Sequence, residues 1–208
     1  MVLFQKQTTQ AKGKYLKKQI DFKVILYLFL LVAFSKNLFG EELKIKIDNY
    51  LRGLDSFSSN FIQSDGLFLE EGLIYIKNDM IRLDYINPRR TLKLKKDKGV
   101  YINHDLEEEE FFSTKKNIIK TFYDIFLYKD FFYSLTPKIN NKEIIFEKNI
   151  TIDSNNTHIK VFFENDPLVL RKVIAKTENS LISISFYNHT YDEFFEEGYF
   201  SFVPIYPN

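Results

Sequence analysis

EEGLIYIKNDMIRLDYINP, residues 70–88, alternates apolar and polar side chains, turns, and alternates again. After the break at Gly72, Ile74 and Ile76 share one face, with Tyr75 and Lys77 on the other. Asn78-Asp79 is a turn signal. Ile81, Leu83 and Tyr85 share the next apolar face, opposite Arg82 and Asp84, and Asn87-Pro88 ends the strand. Two strands joined by a tight turn pair antiparallel. Their apolar side either covers a filled core or lines a space for an apolar ligand.

The same period continues outward. Leu92 and Leu94 alternate with Lys93 and Lys95, and turns at Asp97-Lys98-Gly99 and Asn103-His104-Asp105 flank VYIN. Upstream, Glu41 to Leu54 sets Leu43, Ile47, Tyr50, Leu51 and Leu54 at helical spacing, and SFSSNFIQ follows with Phe57 and Phe61 inward. Residues 114–132 change period: Ile118, Ile119, Phe122, Ile125, Phe126 and Tyr133 recur at three-to-four spacing, with Thr114 as the expected cap of one greasy helix. After Pro137 the strand pattern returns in EIIFEK, THIKVFFEN, LVLRKVIAKT and SLISISFYN. The expectation is a mainly β (α+β) fold of about ten antiparallel strands and two or three helices.

The chain has 208 residues, 45% hydrophobic and 27% charged, which suits one globular domain with a sizeable core. Its first forty residues differ. Lys12, Lys14, Lys17, Lys18 and Lys23 precede an unbroken apolar run, Val24 to Phe34, which is short for a bilayer span and suits a secretory signal. Cleavage is expected after Ser35 or Gly40; an uncleaved anchor or a buried helix is the other reading. The domain plan is therefore residues 1–40 as signal segment and 41–208 as the exported working domain. Residues 1–40 hold seven Lys and one Asp, so the remainder has 29−7=22 basic and 28−1=27 acidic residues, net −5. That balance gives no support for nucleic-acid binding. The absence of cysteine rules out disulfides, thiol chemistry and the acylated cysteine of a lipoprotein.

Polar chemistry is sparse. Glu107 to Glu110 alternate faces along a strand and do not converge on an ion; they suit a solvated edge. His104, His158 and His189 each sit beside turn residues, without metal-ligand spacing. No nucleophile-elbow or phosphate-loop signature occurs. Asn149 and Asn188 lie in N-x-[ST] contexts that need carry nothing in a bacterial protein. The expectation is no enzyme activity, no catalytic residue, no metal and no cofactor. Arg89, Arg90, Lys93, Lys95, Lys96 and Lys98 form a basic cluster, either a solvated hairpin or a site for an acidic partner. The informative feature is the quantity of bulky apolar strand positions. A sheet backed by one greasy helix can enclose a pocket suited to acyl chains, since each buried methylene is worth roughly 0.8 kcal/mol.

The order of helix, SFSSNFIQ, EEGLIYIKNDMIRLDYINP, KGVYINHDLEEEEFF, helix and a strand run ending FSFVP resembles the outer-membrane lipoprotein carrier (LolA) family over roughly residues 41–205. Phe57, Phe61, Gln63, Gly72, Arg82, Tyr85, Pro88, Tyr101, Asp105 and Leu106 occupy the matching places. The chain departs from the family at Asn78-Asp79, where Arg-Pro is usual, at Leu83 in place of a Trp, and at Thr177-Glu178-Asn179-Ser180 in place of an Asp-x-x-Gly turn. The resemblance implies a half-open antiparallel barrel of ten or eleven strands with helices as a lid. It implies a periplasmic chaperone that shuttles acylated lipoproteins from an inner-membrane ABC transporter (LolCDE-type) to an outer-membrane acceptor (LolB-type), acting as a monomer. On that reading Ile74, Ile76, Ile81, Leu83, Tyr85, Leu92, Leu94, Ile118, Phe122 and Phe126 hold acyl chains, and Arg82, Arg89 and Arg90 meet partners. A related barrel occurs in the periplasmic regulator RseB, so a lipid-sensing or signalling module is the alternative.

Overall fold

The computed structural model describes residues 41–115, 118–152 and 155–206. The expected signal segment, residues 1–40, lies outside them. Residues 42–208 form one compact unit.

After helix α1 (residues 41–53) the chain forms β1 (Phe57–Ser64), β2 (Leu69–Lys77), β3 (Met80–Tyr85), β4 (Arg90–Lys95), β5 (Lys98–Asn103) and β6 (Glu108–Ser113). Two helices follow, α2 (Ile118–Leu127) and α3 (Asp130–Tyr133). The chain then returns to strands: β7 (Lys138–Ile139), β8 (Glu143–Ile152), β9 (Asn155–Glu164), β10 (Val169–Lys176) and β11 (Leu181–Tyr191). All eleven strands make one antiparallel sheet in the order β6-β5-β4-β3-β2-β1-β11-β10-β9-β8-β7. Two meanders are joined where β1 pairs with β11, Phe61 opposite Phe186 and Gln63 opposite Ile184. The terminal strands β6 and β7 do not pair with each other, so the sheet curves without closing into a barrel, and its concave side receives the helices.

Register explains the core. Phe57, Ile76, Ile81 and Leu94 face one another across β1 to β4, and Ile74, Leu83 and Leu92 form the next row. A third row runs Phe61, Gly72, Tyr85 and Arg90. Gly72 is required there: a Cβ would sit 2.3 Å from the Asp84 carbonyl oxygen and 2.6 Å from the Phe61 ring. That ring instead meets Tyr85 edge-on at 5.1 Å. On α1, Leu43, Ile47 and Tyr50 are buried, as the helical spacing requires, and so is Leu54 in the turn that follows. Phe132 packs edge-on against Phe146 and Phe163, and Tyr50 meets Phe163 from the other side.

Two local expectations are corrected. The helical stretch of residues 114–132 is not one helix, because α2 ends at Leu127 and α3 begins at Asp130. Continuing the Phe122–Phe126 stripe would bring Lys129 and Asp130 to the apolar face; the break aims Phe131 and Phe132 inward instead. Thr114 does not act as the cap expected of it: its hydroxyl donates to the Lys96 carbonyl at 2.8 Å, across the β4–β5 turn.

The end of the described chain, residues 192–206, forms no strand and crosses the outer face of β2 to β6. Tyr199 packs against Tyr75 at 5.2 Å and lies under the Arg82 guanidinium at 4.1 Å. Arg82 Nη1 donates to the Tyr199 carbonyl and Lys93 Nζ to the Ser201 carbonyl, each at 2.7 Å. Tyr206 reaches His104 Nδ1 with its hydroxyl at 3.0 Å, and its N–H donates to Glu109. This covering buries Thr91, Lys93, Val100 and Ile102, outward residues that an uncovered sheet would leave wet.

Candidate functional site

Between α2 and the sheet lies a cavity of about 250 Å³. Leu83, Tyr85 and Leu92 line it from the first meander, and Ile159, Val173, Ala175, Ile182 and Ile184 from the second. Helix α2 closes it with Ile118, Ile119, Thr121, Phe122 and Ile125. Gln63, next to the β1–β11 seam, completes the lining. Apart from Gln63, Thr121 and the Tyr85 hydroxyl, every lining side chain is hydrocarbon. Ligand pockets commonly measure about 300–1,000 Å³, so this space admits a slim apolar chain rather than a bulky ring system.

Helix α2 is held from the far side. The Tyr123 hydroxyl donates to the Asp79 carbonyl at 2.6 Å, in the β2–β3 turn. Burial pushes that phenol up to about 12, so it remains a donor. Phe126 meets Phe186 edge-on at 5.4 Å.

One end of the cavity carries an ordered polar chain. Tyr85 donates to Gln63 Oε1 at 3.0 Å, Gln63 Nε2 donates to Glu70 at 3.4 Å, and Arg90 pairs with Glu70. The Arg90 guanidinium lies over the Tyr85 ring at 4.7 Å. Burial, aided by the Glu70 charge, pushes the Tyr85 phenol up to about 12. The chain therefore keeps fixed hydrogen-bond directions at neutral pH.

The residues expected to hold acyl chains separate into two groups. Leu83, Tyr85, Leu92, Ile118 and Phe122 come together around the cavity. Ile74, Ile76, Ile81, Leu94 and Phe126 are fully packed in the adjacent core and do not line it. The three arginines also separate. Arg82 is bound by Asp84 and the C-terminal segment, so it is not the free partner contact that was expected. Arg90 points to the concave side, held by Glu70 and Tyr85. Arg89 alone is well exposed, paired with Asp105. With Lys93 buried on the outer face, the basic cluster does not exist as one surface. Lining residues that were not expected to hold acyl chains are Gln63, Ile119, Thr121 and Ile125, and from the second meander Ile159, Val173, Ala175, Ile182 and Ile184. The strands of the second meander and the helix were each legible, but not that the helix would lie over those strands as well as over the first meander.

Elsewhere two of the three histidines are held by structural contacts. His104 contacts Thr91 and Tyr206 through its two ring nitrogens, and His158 contacts Asn149. Among the described residues no group of three or more His, Asp or Glu side chains is placed to hold a metal ion. No helix among them is long and apolar enough to cross a membrane.

No family model and no curated protein matches this chain. Solved structures match in shape. A chain of the Pseudomonas aeruginosa MucA/MucB complex matches at TM-score 0.43 and 10% identity, over 75% of this chain and 59% of that one. This chain thus spans about three fifths of that relative's length. A conserved protein from Thermus thermophilus matches at TM-score 0.49 and 6% identity, over 74% of this chain and 90% of that one. A DUF1329 family protein from Desulfovibrio piger matches at TM-score 0.44 and 10% identity, over 78% of this chain and 96% of that one.

Proposed function

We propose that this protein is a non-enzymatic carrier for acylated cargo. The observation that carries the reading is the cavity under α2, apolar on both walls and left unfilled. An acyl chain entering it removes roughly 0.8 kcal/mol of hydrocarbon exposure per methylene without needing any particular polar contact. Gln63 and Tyr85, joined at the polar end, are placed to face the ester or amide end of such a chain. The apolar run of residues 24–34 supports export to the periplasm. The resemblance to lipoprotein carriers supports acylated lipoproteins as cargo, an ABC transporter as donor and a membrane-bound acceptor. Release requires a contact between α2 and the sheet weak enough for an acceptor to compete with, so two conformations are expected.

The size of the cavity favours a second reading, a lipid-sensing module of the RseB kind that holds one chain and signals through a bound protein. One experiment tests both. Protein isolated from exporting cells is offered a fluorescent fatty acid, then mixed with acceptor vesicles. Uptake followed by release to vesicles, with acylated lipoprotein co-purifying, supports the carrier. Uptake without release supports the sensor, and no uptake overturns both.

A further inference from the structure

Antiparallel order places the turns of residues 65–68, 86–89, 104–107 and 177–180 at one end of the sheet. The cavity lies toward this same end: Gln63, Tyr85 and Ile182 line it from positions within two residues of these turns or their flanks. Exposed apolar side chains stand on successive turns of this end, others being spread along α1, the sheet edges and the C-terminal segment. Leu67, Phe68 and Leu69 on the β1–β2 hairpin are 86%, 70% and 73% exposed, and Ile86 and Leu106 on the next two turns are 56% and 64% exposed. We propose that this rim docks on a lipid bilayer, with Leu67, Phe68 and Leu69 as the main inserting residues and Ile86 and Leu106 beside them.

The backbone of the tips argues for lipid rather than for a protein partner. A chain segment entering an apolar layer must satisfy its own N–H groups, since no water is there to accept them. These tips do so. Asp65 Oδ1 accepts the N–H groups of Leu67 and Phe68 at 2.9 and 2.8 Å, and Ser64 Oγ accepts that of Gly66 at 3.1 Å. Asn103 Oδ1 accepts those of Asp105 and Leu106, and the Glu71 carbonyl accepts that of Ile86 at 2.9 Å. The apolar residues stand as separate knobs on successive turns, a form that suits a fluid layer better than a shaped surface. The charged Asp65 at the base of the first tip limits entry to the headgroup boundary.

Charge decides which bilayer is suited. Residues 41–208 carry a net charge of −5, from 22 basic and 27 acidic residues, and the rim turns contribute Asp65, Asp105, Glu107 and Glu178 against Arg89. Docking therefore rests on apolar contact and needs no anionic lipid. The proposal deepens the carrier reading: a cavity mouth seated on the bilayer lets an acyl chain pass without crossing water.

The test is flotation of the full chain with phosphatidylcholine vesicles, comparing wild type with a Leu67→Asp/Phe68→Asp variant and an Ile45→Asp control on α1. Residues 1–40 are common to all three, so differences report the rim. The expected result is salt-insensitive flotation of wild type and control, and a loss of about tenfold or more in the double variant, with melting temperature and fatty-acid uptake unchanged. Equal flotation of all three proteins overturns the proposal. So does failure of wild type to float, including the case where the same variant instead dissolves a dimer, which makes a second copy the occupant. Fatty-acid uptake reads the carrier function separately: its absence in wild type sinks that reading whatever the flotation shows.

Discussion

Tyr123 donates its hydroxyl to the backbone carbonyl of Asp79 at 2.6 Å, tying the helix over the cavity to the turn between β2 and β3. The bond fixes the middle of α2, between the lining residues Phe122 and Ile125, to the end of the sheet opposite the rim, so it acts as a latch. Tyr123→Phe keeps the buried ring and removes the bond. It is expected to cost about 0.5–1.5 kcal/mol of stability and to speed release of a bound fluorescent fatty acid. Urea unfolding and stopped-flow displacement measure the two effects; unchanged release with lowered stability would show that the latch does not govern α2.

Cavity and core make opposite predictions although they share strands. Ala175 lines the empty space, and Ala175→Phe fills it. Fatty-acid uptake is expected to fall about tenfold or more while stability changes by less than about 1.5 kcal/mol. Ile81 is fully buried and does not line the cavity. Ile81→Ala is expected to cost about 2–5 kcal/mol while the folded fraction still takes up ligand. Titration with fluorescent fatty acid beside thermal unfolding separates the two variants.

Gly72 is a test of packing alone. A methyl group there would collide with the Asp84 carbonyl at 2.3 Å, and that atom is backbone within the β2–β3 ladder. Gly72→Ala is expected to destabilise by about 1–3 kcal/mol, read as a lower urea midpoint. A simultaneous Phe61→Leu change is expected to recover little, because the ladder oxygen remains in the way.

These contrasts mark what local pattern carries. The alternation at Ile74, Ile76, Ile81, Leu83 and Tyr85 depends only on the strand period, and those residues do face the concave side. How far along a strand the core stays filled depends on where α2 and α3 lie, which period cannot express. Ile81 and Leu83 are two residues apart on one face, yet only Leu83 reaches the cavity. The outer face shows the same limit. Lys93 alternates outward as its sequence requires, but residues 192–206 return over it, so outward does not mean wet. Arg82 reads as a free basic residue for the same reason, and its true neighbour, Tyr199, is 117 positions away.

The last prediction concerns acid. His189 contacts Ser59 Oγ through Nδ1 at 2.8 Å. Ser59 already directs its hydroxyl hydrogen at backbone carbonyls, Tyr187 at 2.8 Å or Asn60 at 2.9 Å. The oxygen must therefore accept from His189, which places the histidine proton on Nδ1 and leaves Nε2 as the bare nitrogen. Nε2 is buried without a partner. Protonating it would put charge at a buried, unpaired atom. Burial, with the nearby Arg171 charge, outweighs the Leu170 backbone and the Glu164 charge, which act the other way, and holds the His189 pKa below its ordinary 6.5. The unfolded chain then binds this proton more readily than the folded one, so stability rises with pH across the interval. The contribution is complete above pH 6.5 and is lost as pH falls from there through the lower folded value. Melting temperature between about pH 7.5 and about pH 5 is expected to drop in wild type and to drop less in His189→Gln, whose amide can still donate to Ser59. Parallel curves for the two proteins would place the acid sensitivity on other groups.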